Sequence, residues 1–222
     1  MTGGSDNISR CIRLRRPATL SVMDEPHVPD VPAAKLAEVQ WRWEALCRDN
    51  PRYFDGRVYH VLGVHRNGYG GAVIHVADCA YRYVAVQNDG FDLGVRHLGV
   101  KGITIRDGKV LLGRRAMTVA SYRGLWEFAP AGVVEPPRHP AAVVAAELAE
   151  ETGLKIVGEP TPIAVLYDET VRCWEIIFRL TAENAGSTGD RVTDEYDEIV
   201  WCEPSGLPPD LSPIARRMIP LL

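Results

Sequence analysis

The feature that most restricts how this chain can fold is a group of three glutamates at helical spacing. They are Glu147, Glu150 and Glu151, near the end of residues 132–154, which read GVVEPPRHPAAVVAAELAEETGL. At about 100° per residue, this spacing places all three carboxylates on one face of a helix. Like charges so close repel one another unless a cation neutralises them, and Mg²⁺ and Mn²⁺ prefer oxygen ligands. The alternative is a solvated acidic face, the usual role of a charge run.

The residues around the glutamates predict a loop followed by a short helix. Pro140 suits the first helical turn, where its missing N–H is not needed. Val144 and Leu148, four residues apart, form an apolar stripe beside the glutamates. Gly153 suits the left-handed position that ends a helix. Upstream, residues 129–137 are rich in Pro and Gly and are predicted to form a loop.

This segment resembles the sequence box of the Nudix hydrolase family, G-x5-E-x7-R-E-U-x-E-E-x-G-U, where U is a bulky aliphatic residue. The matching positions are Gly132, Glu147, Leu148, Glu150, Glu151, Gly153 and Leu154. Arg138 stands where the box has its first Glu, and Ala146 where it has Arg. In the family those two residues commonly pair as a brace, and here both are replaced together. The three positions that the resemblance assigns to metal binding are present.

The resemblance extends from residue 98 to residue 222. Residues 98–115 are predicted to form a β-hairpin, because Asp107-Gly108 between two apolar runs is a strong hairpin signal. A loop over residues 116–124 and the pattern W-E-x-x-x-A-G from Trp126 then lead into the box. Strands are predicted at 161–167 and 172–181, an acidic loop with a short strand at 182–203, and a closing helix at 212–222. The implied fold class is α+β, an α-β-α sandwich with a Nudix-like mixed sheet flanked by helices.

The N-terminal half is predicted to form a tail and a small α+β extension. Residues 1–32 are polar and dotted with Pro, so a poorly ordered tail is expected. Residues 33–97 form the extension, with a helix at 33–49 that the Asn-Pro pair at 50–51 ends. Strand-like runs follow at 57–64 and 72–86. Residues 98–222 are the hydrolase domain.

Charge and cysteine content restrict the partners. A net charge of −4 gives no electrostatic reason to expect nucleic-acid or membrane binding. No apolar run approaches the ~20 residues that a membrane helix needs. The five cysteines are odd in number and lack CxxC spacing, which favours reduced thiols and a cytoplasmic location. The expected partner is a small-molecule nucleoside diphosphate, with a homodimer left open.

The predicted chemistry is hydrolysis of a pyrophosphate bond with Mg²⁺ or Mn²⁺ as cofactor. Metal bound by glutamates 147, 150 and 151 neutralises phosphate charge and lowers the pKa of a bound water. Glu151, Glu150 or a later acid acts as the base. In Nudix proteins an acid from the later acidic region often completes the site, and the candidates are Glu195, Asp197 and Glu198, of which Glu198 is taken as a ligand. The expected substrate-binding residues are Arg114, Arg115, Tyr122, Arg123 and Gly132.

The order NPRYFDGRVY, a Tyr-Arg pair and then LGV is similar to the animal UDP-sugar diphosphatase branch of the family. This resemblance implies hydrolysis of UDP-glucose or UDP-galactose to UMP and a sugar 1-phosphate. ADP-ribose or another nucleotide is the alternative substrate. Two alternative hypotheses remain. The first is a non-catalytic nucleotide-binding regulatory module, which is motivated by Arg138 and Ala146. The second is an interaction protein with an incidental acidic helix.

Overall fold

The computed structural model describes residues 11–183 and 194–222. Within those ranges it has twelve strands, four α-helices and two short 3-10 turns. The strands are β1 (Cys11–Arg13), β2 (Thr19–Val22), β3 (Arg57–Arg66), β4 (Ala72–Ala80), β5 (His97–Arg106), β6 (Lys109–Arg115), β7 (Trp126–Phe128), β8 (Ala131–Val133), β9 (Lys155–Ile156), β10 (Thr161–Asp168), β11 (Cys173–Glu183) and β12 (Tyr196–Cys202). The helices are α1 (Ala33–Asp49), α2 (Arg82–Ala85), α3 (Pro140–Thr152) and α4 (Pro213–Met218).

All twelve strands join one mixed sheet, whose main path runs β1-β10-β11-β5-β3-β4-β2. Strands β11 and β5 pair in parallel, as do β2 and β4, while the other pairs along this path are antiparallel. The remaining strands attach to its side, with β6 pairing with β5, β7 and β12, and β8 pairing with β5. The mixed sheet with flanking helices confirms the predicted fold class.

Helices α3 and α4 cover opposite faces of the sheet. Successive residues of a strand point to opposite faces, so neighbours in sequence belong to different cores. Ile176 and Phe178 of β11 pack in the cluster that contains Leu148 of α3. Ile177, between them, packs in the cluster that contains Met218 of α4. The sheet is therefore buried on both sides, as an α-β-α sandwich requires.

The predicted N-terminal extension has its own core but shares the sheet. Val39 and Trp43 of α1 are buried against Cys79, Phe91 and other residues of the same region. The helix prediction over residues 33–49 is confirmed at both ends. The prediction of a strand-like run over residues 72–86 is only partly right, because β4 ends at Ala80 and residues 82–85 form the short helix α2.

The expectation of a poorly ordered tail over residues 1–32 is wrong for the part that the structure describes. Strand β1 pairs with β10, placing Cys11 opposite Leu166, and β2 pairs in parallel with β4. These pairings use partners far away in the sequence, which local composition does not reveal. Residues 1–10, and residues 184–193 of the predicted acidic loop, lie outside the described residues.

The hairpin prediction is confirmed, and one loop prediction is corrected. Asp107 and Gly108 have φ angles of 49° and 77°, the left-handed pair that a tight two-residue turn requires. Residues 131–133 were predicted as loop but form β8, because their backbone pairs with β5 at residues 99–101. None of the helices in the described ranges is both long and apolar enough to cross a membrane.

Candidate active site

Helix α3 carries the three glutamates and is fixed at both ends by local signals. The His139 ring accepts a hydrogen bond from the Ala141 N–H at 3.2 Å, and Pro140 follows as the first helical residue. Gly153 ends the helix with φ of 72°, as its sequence position predicted. Val144 and Leu148 are fully buried, so the helix has one fixed rotation on the sheet.

That rotation gives the three carboxylates different environments. Glu151 is buried, with only 4% of its surface exposed, whereas Glu147 is half-buried and Glu150 is exposed. The glutamates therefore form a row from the protein interior to solvent. A ligand that approached α3 from solvent would meet Glu150 first and Glu151 last.

Glu151 has a carboxylate oxygen that the described protein atoms leave unsatisfied. Its Oε2 accepts a hydrogen bond from the Ala131 N–H at 3.3 Å, while its Oε1 is buried and has no hydrogen-bond partner among the described residues. Burial raises the pKa of Glu151 well above its usual value, and the nearby carboxylates of Glu195 and Glu147 raise it further. A buried, unpaired carboxylate oxygen is costly unless a cation or proton satisfies it.

Glu147 lies directly against Gly132 of β8. A Cβ atom added to Gly132 would lie 2.4 Å from Glu147 Oε1, so only glycine leaves room for this carboxylate. Burial raises the pKa of Glu147 to about 7, and the charges of Glu150 and Glu195 act in the same direction. Arg138, which replaces the first Glu of the box, acts in the opposite direction and favours the charged form.

These residues fit a divalent cation, although their side chains do not converge on one point. Within residues 11–183 and 194–222, no group of three His, Cys, Asp or Glu side chains is arranged to hold a metal ion. The fit rests instead on the unsatisfied Oε1 of Glu151 and on Glu147, whose pKa is raised first by burial and then by the neighbouring carboxylates of Glu150 and Glu195. Carboxylate oxygens are the ligands that Mg²⁺ and Mn²⁺ prefer.

Among the later acids, the structure brings Glu195 rather than Glu198 to this group. Glu195 contributes to the raised pKa values of both Glu147 and Glu151, and Arg115 donates a hydrogen bond to it. Glu198, the metal ligand expected from the sequence, is exposed and lies opposite Arg114 in the β6–β12 pairing. Asp197 is also exposed.

The predicted substrate-binding side chains are mostly engaged with the protein itself. Arg115 pairs with Glu127 at 3.3 Å and also with Glu195, so it holds the acidic site together. The Tyr122 hydroxyl donates to the carboxylate of Asp168 at 2.7 Å. The two exposed arginines bond backbone oxygens: Arg114 Nε donates to Gly124 O at 3.2 Å, and Arg123 Nε donates to Val119 O at 2.6 Å.

A buried ionic cluster beside the site was not anticipated from the sequence. Lys101 Nζ lies 3.0 Å from Glu127 Oε2, and their side chains are only 6% and 2% exposed. Glu175 is also buried nearby, and burial raises its pKa to about 7 although the charge of Lys101 lowers it. The available signal was the single lysine inside the apolar run LGVKGITI, since a charge in a buried strand needs a partner.

The sequence from residue 95 to residue 222 matches the family model described as NUDIX domain, which is more than half of the chain. The chain belongs to the NUDIX family. It is therefore a Nudix-type pyrophosphohydrolase, an enzyme class that hydrolyses nucleoside diphosphates linked to another moiety. Enzymes of this family act on small-molecule nucleotides and generally use divalent metal ions.

Several solved structures are similar to the chain. A MutT NUDIX hydrolase from Burkholderia pseudomallei is 23% identical, with 55% of this chain and 95% of that chain covered and a TM-score of 0.47. A MutT protein from Methanosarcina mazei Go1 is 24% identical, with coverage of 55% and 88% and a TM-score of 0.44. A bifunctional NMN adenylyltransferase/ADP ribose pyrophosphatase from Francisella tularensis is 16% identical, with coverage of 57% and 41% and a TM-score of 0.43. No curated protein sequence matches the chain.

Proposed function

We propose that this enzyme hydrolyses a UDP-sugar to UMP and a sugar 1-phosphate, with Mg²⁺ or Mn²⁺ held by Glu147, Glu150 and Glu151. The observation that carries the proposal is the buried, unsatisfied Oε1 of Glu151 behind two further carboxylates on one helix face. When bound there, the metal supplies positive charge for the phosphate oxygens and a water of lowered pKa.

The side chains of the site divide the remaining work. A general base must lie within hydrogen-bond reach of the attacking water. Glu150 is exposed and accepts the proton of a water on the solvent side, whereas Glu151 is buried and accepts the proton of a water at the inner end of the row. The water oxygen bonds to one phosphorus of the diphosphate, and the bond between that phosphorus and the bridging oxygen breaks. Arg115 keeps Glu195 close to the carboxylate group and does not itself need to touch the substrate.

The choice of a UDP-sugar rests on the N-terminal residues similar to the UDP-sugar diphosphatase branch. Residues 50–59 read NPRYFDGRVY, Tyr81-Arg82 follows, and LGV at 98–100 opens β5. Several of these residues line a cavity that also includes Val133 and Glu135, next to Gly132 of the candidate site. ADP-ribose is the alternative within the same chemistry.

A second candidate function is a non-catalytic nucleotide-binding module on the same scaffold. It is favoured by Arg138, whose positive charge acts on Glu147 where the family box has a carboxylate. A guanidinium at this point competes with a metal ion for the same carboxylate. If the protein is such a module, it binds nucleotides without hydrolysing them.

The test is hydrolysis of a substrate panel in Mg²⁺ and in Mn²⁺, with the products separated by chromatography. The panel contains UDP-glucose, UDP-galactose, ADP-ribose, NADH and dinucleoside polyphosphates. Release of UMP from the two UDP-sugars at the highest kcat/KM supports the proposal. Preferred cleavage of another member of the panel supports pyrophosphate hydrolysis but shows that a UDP-sugar is not the preferred substrate. Nucleotide binding with no turnover across the panel favours the module.

A further inference from the structure

The cavity that Val133 and Glu135 help to line adjoins the candidate active site. It has a volume of about 320 Å³ and is lined by residues that include Asn50, Tyr53, Phe54, Tyr81, Val133 and Glu135. This volume is at the lower end of the range for small-molecule sites, so it suits a group smaller than a whole nucleotide sugar. Its residues come from the N-terminal extension, from the last residue of β8 and from the loop that follows.

Two contacts place this cavity beside the glutamates of α3. On one side, the lining residue Val133 directly follows Gly132, which packs against Glu147. On the other side, Arg52 pairs with Asp194 at 2.9 Å, and the next residue is Glu195. Residues that line the cavity are therefore linked to both segments that approach the carboxylate group.

Aromatic rings form the wall of the cavity. The rings of Tyr53 and Tyr81 are stacked, with centroids 6.4 Å apart and planes 18° apart. Trp43 of α1 braces both rings edge-on, at centroid distances of 6.0 and 6.3 Å. Phe54 is 70% exposed, so its ring is accessible from solvent. Its ring lies over Gly56, where an added Cβ would be 2.8 Å from Phe54 Cε2.

The charges around the cavity favour a neutral occupant over a phosphate. Its two lining arginines are already paired, Arg57 with Asp78 at 2.7 Å and Arg52 with Asp194 at 2.9 Å. The remaining charged lining residue, Glu135, is negative and repels an anion. A planar, uncharged group can stack on the exposed face of Phe54 without opening an ion pair.

We propose that this cavity binds the nucleobase of the substrate, with Phe54 as the stacking surface. The inference rests on the proposed function, because the diphosphate must then lie toward Glu147. In this proposal, the N-terminal extension recognises the base, and the glutamates of α3 carry out the hydrolysis. Loss of a base–aromatic stack weakens nucleic-acid binding by about 5-fold to 150-fold in other proteins, so we expect Phe54 to be a major determinant of nucleotide affinity.

The test measures binding instead of turnover. Isothermal titration calorimetry in Mg²⁺ gives the Kd of UMP, AMP, ribose 5-phosphate and glucose 1-phosphate for the wild type and for Phe54→Ala. The matched control is Tyr69→Ala, because Tyr69 is an aromatic residue 79% exposed and does not line the cavity. Phe54 is exposed, so its replacement leaves the core intact.

The proposal predicts that Phe54→Ala weakens UMP or AMP binding by about five-fold or more and changes ribose 5-phosphate binding by less than about two-fold. Tyr69→Ala leaves all four affinities unchanged. Equal affinities of UMP and AMP in the wild type and Phe54→Ala overturn the proposal, as does a loss confined to glucose 1-phosphate, which would place the sugar in the cavity. If UMP binding depends on Phe54 but the protein hydrolyses no member of the panel, the proposed function is wrong and the base-binding site is supported.

Discussion

Gly132 and Glu147 are in such close contact that a single added carbon on Gly132 would lie 2.4 Å from the carboxylate oxygen Oε1. The two residues come from β8 and α3, and each belongs to the sequence box of the family. Gly132 therefore acts through Glu147, by leaving the space that this carboxylate occupies. This relationship gives the glycine of the box a physical role.

Replacing Gly132 by Ala is expected to lower kcat/KM by about ten-fold or more, because small displacements of a catalytic group have large effects. Glu147 is flexible enough to move aside, so the free energy of unfolding should change by less than about 1 kcal/mol. Steady-state kinetics and urea unfolding measure the two quantities. Gly63→Ala is the control, since an added Cβ there meets nothing within 4 Å. Unchanged kinetics in Gly132→Ala would show that Glu147 need not lie where the structure places it.

The elements that the sequence predicted well are those with local start and stop signals. Helix α1 ends before the Asn50-Pro51 pair, and α3 ends at Gly153, where the left-handed backbone is observed. The pairing of β1 with β10 and of Lys101 with Glu127 could not be predicted, since both depend on residues far apart in the chain. For the same reason, the sequence could not separate Glu195 from Glu198, and only the fold shows that the charge of Glu195 acts on Glu151.

The buried pair of Lys101 and Glu127 predicts a large loss of stability when the lysine charge is removed. Lys101→Met leaves Glu127 and Glu175 without that cation, and breaking a buried pair from one side costs about 3–5 kcal/mol in other proteins. Urea unfolding should therefore show a free energy of unfolding lower by about 3 kcal/mol. Lys109→Met is the matched control. Lys109 is an exposed lysine 3.9 Å from Glu203, and its loss should change stability by less than about 1 kcal/mol. Similar effects of the two changes would contradict a stabilising role for the buried pair.

His60 predicts a loss of stability in mild acid. It is buried, its Nδ1 accepts the Arg96 N–H at 3.0 Å, and the His27 ring lies 4.1 Å away. Burial, followed by the charge of His27, lowers the pKa of His60 from 6.5 to about 4. Because the folded state resists protonation, this contribution to stability is complete above pH 6.5 and is lost as the pH falls toward 4.

The corresponding measurement is urea unfolding at pH 7 and pH 4.5 for the wild type and His60→Asn. The Asn side chain can accept the same hydrogen bond but does not titrate. Between these two pH values, the wild type should lose about 2 kcal/mol more than the variant. Parallel losses in the two proteins would show that His60 does not titrate in this range in the folded state.

Arg138 and Ala146 stand where the family box has a pairing Glu and Arg, so the brace can be restored by changing both. Arg138→Glu with Ala146→Arg removes the positive charge that acts on Glu147 and supplies a complementary pair in its place. We expect unchanged or higher turnover, measured as kcat with the best substrate of the panel. The two single variants are the controls. A collapse of kcat in the double variant would mean that the site depends on Arg138 itself.

In the proposed function, the carboxylates of α3, with Glu151 at their inner end, bind the metal that hydrolysis requires. The most direct test is the Mg²⁺ and Mn²⁺ dependence of hydrolysis in the wild type and Glu151→Gln, with Glu159→Gln, an exposed glutamate beyond α3, as control. We expect metal-dependent turnover that Glu159→Gln retains and Glu151→Gln loses by about 100-fold or more. Equal metal-dependent turnover in the wild type and Glu151→Gln would show that this carboxylate is not needed for the metal-dependent reaction.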